Sequence, residues 1–223
     1  FLDMGQTPLA NNLVGTDELN VADPVFPLRL GFCSNCSMVQ LLDLVSPELM
    51  FSKYLYISSI SKTLRDHLTD LADSLYRRLS LTTGSFVVDV GCNDGTLLAA
   101  FAAHGARTLG VDPAANLLPL AAQNGIEVKT AFFDPEVARE IRERNGPADL
   151  LTATNVFQHI PDQDGFLMAV DVLLADDGTF VFESHYLQDI LDQGAFDTIY
   201  HEHVFYLALT PLIQVFSRHG FRV

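Results

Sequence analysis

The stretch Val88-Asp89-Val90-Gly91-Cys92-Asn93-Asp94-Gly95-Thr96 decides how this chain is read. With Phe86 and Val87 before it, a run of aromatic and β-branched residues reaches a glycine and then turns into a helical pattern. Gly91 permits a tight turn with close backbone approach, and Gly95 lets the helix begin with no side chain in the way. The spacing is G-x-x-x-G, not the G-x-G-x-x-G of dinucleotide sites. Asp89, just before the turn, would sit badly beside a pyrophosphate and suits a positively charged ligand. Asp112 closes the next strand, 21 residues after Gly91, the position from which an acid bonds ribose hydroxyls. Asp89, Gly91, Asn93, Gly95 and Asp112 thus read as a site for a cationic nucleoside, S-adenosylmethionine, whose ammonium and sulfonium a carboxylate attracts. The plainer alternative is a bare turn between two solvated strand-end aspartates. Phe132-Phe133-Asp134, after the third strand, offers Phe133 and Asp134 to an adenine, or only core phenylalanines.

Outward from this loop, apolar strands alternate with amphipathic helices. Strands are expected over 86–90, 108–111, 126–130, 149–153 and 179–183, and helices from about 95, then over 114–123, 136–144 and 162–174. Such alternation calls for a parallel sheet with helices on both faces, an α/β, Rossmann-like fold. Upstream, Leu64, Leu68, Leu71, Leu75 and Leu79 make a helical stripe. Ser46-Pro47 supplies a helix start, and Thr210-Pro211 opens a helix that Gly220 stops, with 221–223 beginning another strand. Residues 1–45 are rich in turn signals, with short strands at Leu28/Leu30 and Val39/Leu41. The expected division is a small Cys-containing lobe over 1–45, a helical substrate-side segment over 46–84, and the α/β domain over 85–223.

The chain has 223 residues, 48% hydrophobic and 18% charged, which excludes global disorder. A net charge of −15 repels phosphate backbones and anionic lipid, so neither nucleic acid nor a membrane surface is an expected partner. No apolar stretch reaches membrane-span length. Three cysteines argue against a disulfide framework and for a reducing compartment, the cytoplasm by default. Phe1 in place of Met suggests a fragment or a processed chain. Oligomeric state stays open.

The strand–loop–helix resembles motif I of class I S-adenosylmethionine-dependent methyltransferases. Three further stretches narrow the likeness: Phe1-Leu-Asp-Met-Gly-Gln-Thr-Pro-Leu-Ala-Asn11 with Cys33-x-x-Cys36, then Tyr54-x-Tyr56-x-Ser58-Ser59, then Ile199-Tyr200-His201-Glu202-His203. Together they are similar to the sugar C-methyltransferases that act on C3 of nucleotide-linked 4-keto-6-deoxy sugars. The resemblance implies a nucleotide-sugar substrate, with His203 as general base and Tyr200 and Glu202 as its catalytic neighbours. It also implies His159 and Tyr56 on the substrate side, and Gly91, Asp112 and Asn155 on the cofactor. It further implies a zinc lobe built on two cysteine pairs. Cys33 and Cys36 are one pair and the other would lie upstream of Phe1, so this stretch offers half a tetrahedral site and would hold zinc weakly or not at all. The family continues past Val223 into a second α/β domain.

Methylating a sugar carbon requires removing a weakly acidic proton beside a ketone, so the site needs a base and a stabiliser of the enolate oxygen. In Tyr200-His201-Glu202-His203 the carboxylate can orient an imidazole and favour its charged form, and the tyrosine can donate to the oxyanion. The bland alternatives are an extended polar ladder over 199–206, a metal chelate at His201-x-His203, a satisfied His159, and Tyr54 and Tyr56 as packing residues. The acidic run 162–164 suits a helix N-terminus. Rival functions are an O- or N-methyltransferase, a non-catalytic cofactor-binding fragment and, more remotely, a nicotinamide oxidoreductase.

Overall fold

Five consecutive residues, Phe86–Val90, are all buried, as a strand covered on both faces demands. The computed structural model describes residues 1–17 and 19–223. In chain order the described strands are β1 (Leu2–Pro8), β2 (Val25–Phe32), β3 (Val39–Leu41), β4 (Phe86–Val90), β5 (Arg107–Val111), β6 (Val128–Lys129), β7 (Ala148–Thr154), β8 (Leu174–Glu183) and β9 (Phe205–Tyr206). The helices are α1 (Pro47–Phe51), α2 (Lys62–Arg78), α3 (Thr96–Ala103), α4 (Leu118–Gln123), α5 (Pro135–Asn145), α6 (Gln163–Leu173), α7 (Leu187–Gln193) and α8 (Leu209–Arg218). The chain forms two compact units. One comprises Lys53–Val156 and Gln163–Glu183, the other Phe1–Ser52, Phe157–Asp162 and Ser184–Val223.

In the first unit the strand order is β6-β5-β4-β7-β8, all parallel. The order reverses between β4 and β7, and ligands of such sheets sit beyond the carboxyl ends at that reversal. Val87, Leu97, Leu98, Phe101 and Leu150 form its core with Leu68, Ala72 and Leu75 of α2. That helix starts where Ser61 accepts the Leu64 amide, and its expected leucine stripe faces inward. The helix expected over 114–123 is instead a 3-10 turn, Ala115–Leu117, followed by α4. Pro119 has no amide proton to continue a single ladder and is tolerated only in a first turn.

In the second unit β1, β2, β3 and β9 form an antiparallel sheet in that order, with Leu30 opposite Leu41 and Val39 opposite Tyr206. Leu28, Leu30, Val39, Leu41, Ile190, Ile199 and Tyr206 are its core. Residues 184–223 therefore pack with the N-terminal lobe, where the sequence division had joined them to 85–223. The reason is the pairing of β3 with β9, a strand too short to carry a period. β1 was unexpected because Gly5 and Pro8 read as turn residues; the Gly5 amide bonds Asp3 Oδ1, and the register shifts between Asp3 and Gln6.

Ser46 is the N-cap residue of α1 and Pro47 opens the helix, as expected, although the Ser46 hydroxyl bonds the Glu48 carboxylate and makes no cap bond. Two local expectations change. Thr210 lies inside the first turn of α8, whose N-cap is Ala208. Residues 221–223 form no strand, because the Phe221 amide returns to the Phe216 carbonyl. Among the described residues no helix is long and apolar enough to cross a membrane.

Candidate active site

The loop after β4 depends on two glycines. Gly91 has φ +68°, and a Cβ on it would lie 2.3 Å from Val156 Cγ2, so only glycine lets this loop approach the one after β7. Gly95, φ +75°, caps α3, and a Cβ there would meet Ile126 at 2.9 Å. Asp112 ends β5's side of the site with both oxygens engaged: Oδ2 accepts the Asn93 amide and Oδ1 the Ala114 amide, each at 2.8 Å. Burial still raises its pKa. Each oxygen keeps a further lone pair, which fits a pair of vicinal ribose hydroxyls. Asp89 is 2% exposed and accepts from Thr152 Oγ1 at 2.6 Å. Burial pushes it up to about 7 despite that bond, with Asp112 adding repulsion. A cation beside it would reverse the shift, so the donor set fits S-adenosylmethionine.

Several expected cofactor contacts have local work. Asn93 (φ +53°) accepts the Ser58 and Asp94 amides on Oδ1, and its Nδ2 donates to the Tyr56 carbonyl. Asp94 accepts the Ser59 amide and both the amide and hydroxyl of Thr96, and these bonds hold its carboxyl low against partial burial. Asn116 brackets Tyr54, accepting its amide at 3.1 Å and donating to its carbonyl at 2.7 Å. Residues 54–59 are thus strapped to the cofactor loops, and the Tyr56 side chain is left exposed. Asp134 caps α5 by accepting the Glu136 and Val137 amides, and Phe133 packs edge-on against Phe166. Asn155 (φ +56°) donates to Glu183 Oε1 at 3.2 Å, and Glu183 Oε2 bonds His67 Nε2 at 2.6 Å, a pair no sequence signal marked.

The second unit brings together Tyr200, Glu202, His203 and His159. Residues 200–203 form a turn, not an extended ladder. The Thr198 carbonyl can only accept, so His203 Nδ1–H donates to it at 2.7 Å, and Nε2 becomes the acceptor for the Tyr200 hydroxyl at 2.9 Å. The ring of His203 lies 4.1 Å from that of Tyr200, 4.5 Å from His185 and 5.1 Å from His159. Burial, then His159 and His185, push His203 down to about 3, so it rests neutral. Burial, then Glu202, push Tyr200 up to about 12.

His159 Nδ1–H donates to the Glu202 carbonyl at 2.6 Å, which makes Nε2 its acceptor nitrogen, 3.4 Å from the Gln158 side-chain amide. The Glu202 carboxylate, expected to orient an imidazole, accepts from Asn11 Nδ2 at 2.7 Å. Backbone carbonyls orient both rings, because in a turn neighbouring side chains need not share a face. His201 is buried, donates Nε2–H to the Pro27 carbonyl and packs against Phe26, so it serves the fold. Among the described residues no three His, Cys, Asp or Glu are placed to hold a metal.

Sequence reasoning missed His185 and Tyr206, whose rings also join the cluster. His185 follows β8 as His159 follows β7, and that position was the available signal. Tyr56 belongs to the other unit, with the cofactor loops. Cys33 and Cys36 flank a tight turn in which the Ser37 amide returns to the Cys33 carbonyl. The amides of Cys36 and Asn35 lower the Cys33 thiol, which suits a thiolate ligand and fits two of the four positions of a tetrahedral zinc site.

A family profile described as "Methyltransferase domain" matches residues 64–223, and one described as "Putative zinc binding domain" matches residues 1–51. C-methyltransferase NovU of Streptomyces niveus is 39% identical over 222 residues, covering 100% of this chain and 53% of that protein. A ubiquinone biosynthesis O-methyltransferase of Bordetella avium is 32% identical over 103 residues, covering 45% of this chain and 43% of its own. A crystal structure of an S-adenosylmethionine-dependent methyltransferase from Archaeoglobus fulgidus superposes with a TM-score of 0.56 at 18% identity, covering 70% of this chain and 69% of the other. The chain spans about half the length of the curated relatives it matches. Its parallel sheet is the class I S-adenosylmethionine-dependent methyltransferase fold. The chain belongs to the methyltransferase-domain family.

Proposed function

We propose that this chain is the cofactor-binding and proton-transferring part of an S-adenosylmethionine-dependent C-methyltransferase acting on C3 of a nucleotide-linked 4-keto-6-deoxy sugar. Its three free cysteines suit a cytoplasmic setting. The observation that carries the reading is the Tyr200 hydroxyl on Nε2 of a buried, neutral His203. The C-methyltransferase named among its relatives supports the reaction class. Asp89, Gly91, Gly95, Asp112 and Asn155 would hold the cofactor, with the Asn93 amide steadying Asp112. When bound, the cofactor supplies an electrophilic methyl group on a sulfonium.

The chain's own residues handle the proton. With its hydroxyl already on Nε2, Tyr200 takes the C3 proton on Oη as its own proton passes to His203. The electron pair of the C–H bond moves into the enolate. A resting imidazole near 3 is a weak base, but negative charge developing beside it raises its proton affinity, the more so away from water. The imidazolium keeps Nδ1–H on Thr198, so the proton moves without the ring turning. The acceptor nitrogen of His159 suits a sugar hydroxyl.

Solvent-deuterium exchange tests the reading. With S-adenosylhomocysteine in place of the methyl donor, a 4-keto nucleotide sugar should gain deuterium at C3 in wild type and not in His203→Ala. No exchange in wild type would favour O- or N-methylation, the first being the reaction named for the ubiquinone biosynthesis relatives.

A further inference from the structure

We propose that Asn11 is a positioning residue of the 200–203 turn, acting through Glu202. This inference rests on the proton-transfer role given above to His203 and on the substrate-hydroxyl contact given to His159. Asn11 lies in the turn after β1, 191 residues from Glu202 in sequence, yet its Nδ2 reaches Glu202 Oε1 at 2.7 Å. Glu202 is 3% exposed, and a buried carboxylate must find hydrogen-bond donors within the protein. Its own carbonyl accepts both His159 Nδ1–H and the Val204 amide, so the side chain Asn11 grips and the carbonyl that sets the His159 tautomer belong to one residue. The His203 amide bonds the Tyr200 carbonyl within the same turn.

Other links from the same sheet hold this turn as well. The Pro27 carbonyl accepts from His201, and the Leu41 amide donates to the Val204 carbonyl. Those two contacts grip residues on either side of Glu202, whereas Asn11 grips Glu202 itself. The turn after β1 thus has a direct side-chain grip on Glu202, beside the backbone links that β2 and β3 make to its neighbours. Without it, Glu202 has one fewer donor, and its peptide is freer to rotate away from His159.

The test uses Asn11→Ala, Asn11→Asp and, as a control, Asn12→Ala in the full chain. Asn11→Ala should lower kcat about tenfold to hundredfold, the usual scale for misplaced groups, with the KM for S-adenosylmethionine and the calorimetric affinity for S-adenosylhomocysteine unchanged. In 15N spectra of the imidazoles, His159 should lose its pure Nδ1–H signature. Asn11→Asp sets two carboxylates against each other, which cannot both ionise at that distance, so its defect should deepen as pH rises and fade in acid. Asn12→Ala should match wild type.

Turnover of Asn11→Ala within about twofold of wild type, with His159 unchanged, overturns the proposal. So does an Asn11→Asp defect that is flat with pH and leaves His159 unchanged, since that is a general loss of structure. Full activity in His203→Ala would instead defeat the proton-transfer reading, and the His159 spectra would still report whether Asn11 sets the ring.

Discussion

At the scale of single residues, two buried groups carry opposite pH signatures. His203 has its folded pKa pushed down to about 3 from 6.5, so the unfolded chain takes up a proton first as pH falls. Its contribution to stability is present above 6.5 and is lost between 6.5 and about 3. Asp89 is pushed up to about 7 from 3.8, so its contribution is present below 3.8 and is lost as pH rises through about 7. A cation bound at Asp89 favours the ionised form. Calorimetry of S-adenosylmethionine binding near neutral pH should therefore show proton release, seen as a buffer-dependent enthalpy, and Asp89→Asn should abolish it. Equal enthalpies across buffers in wild type would remove Asp89 from the cofactor's surroundings. For His203→Ala and Tyr200→Phe, methyl transfer should fall about 10²- to 10⁴-fold, the usual worth of a positioned acid or base, with S-adenosylhomocysteine affinity retained.

At the scale of elements, the cofactor loop and the 54–59 segment behave as one piece. Gly91→Ala forces a side chain into φ +68° and into Val156, which should cost about 1–3 kcal/mol or more in urea unfolding and abolish S-adenosylhomocysteine binding. Gly125→Ala is strained too, at φ +74°, but meets nothing within 4 Å, and should bind normally. Asn93 and Asn116 grip backbone atoms of the strap, not its side chains. Asn116→Ala should free Tyr54 at both its amide and its carbonyl, so limited proteolysis within 54–59 should accelerate while far-UV circular dichroism stays the same. Unchanged cleavage would mean that packing, not these amides, holds the segment.

At the scale of the whole molecule, each unit has its own core, and the units should respond separately to cavities. Leu41→Ala removes a buried side chain from the β1-β2-β3-β9 unit at a cost of about 2–5 kcal/mol. Hydrogen exchange should then speed up at 205–206 and leave Val87–Val90 protected, and Leu150→Ala should do the reverse. Uniform acceleration in both variants would mean one cooperative unit. The five-stranded sheet, its order of helices and the glycine loop were legible in the sequence because strand period, apolar runs and positive-φ glycines are local properties. The pairing of β9 with β3 was not legible, since two residues carry no period. The roles within Tyr200-His201-Glu202-His203 were only half legible. Sequence identified the residue types, but the burial beside His159 and His185 that keeps His203 neutral, the nitrogen that accepts and the carboxylate already engaged depend on surroundings that include Thr198, Pro27 and Asn11. Pro27 and Asn11 reach the turn only when distant segments fold together, while Thr198 is a chain neighbour that meets the His203 ring because residues 200–203 turn back, and a tautomer or a shifted pKa belongs to that assembled surrounding.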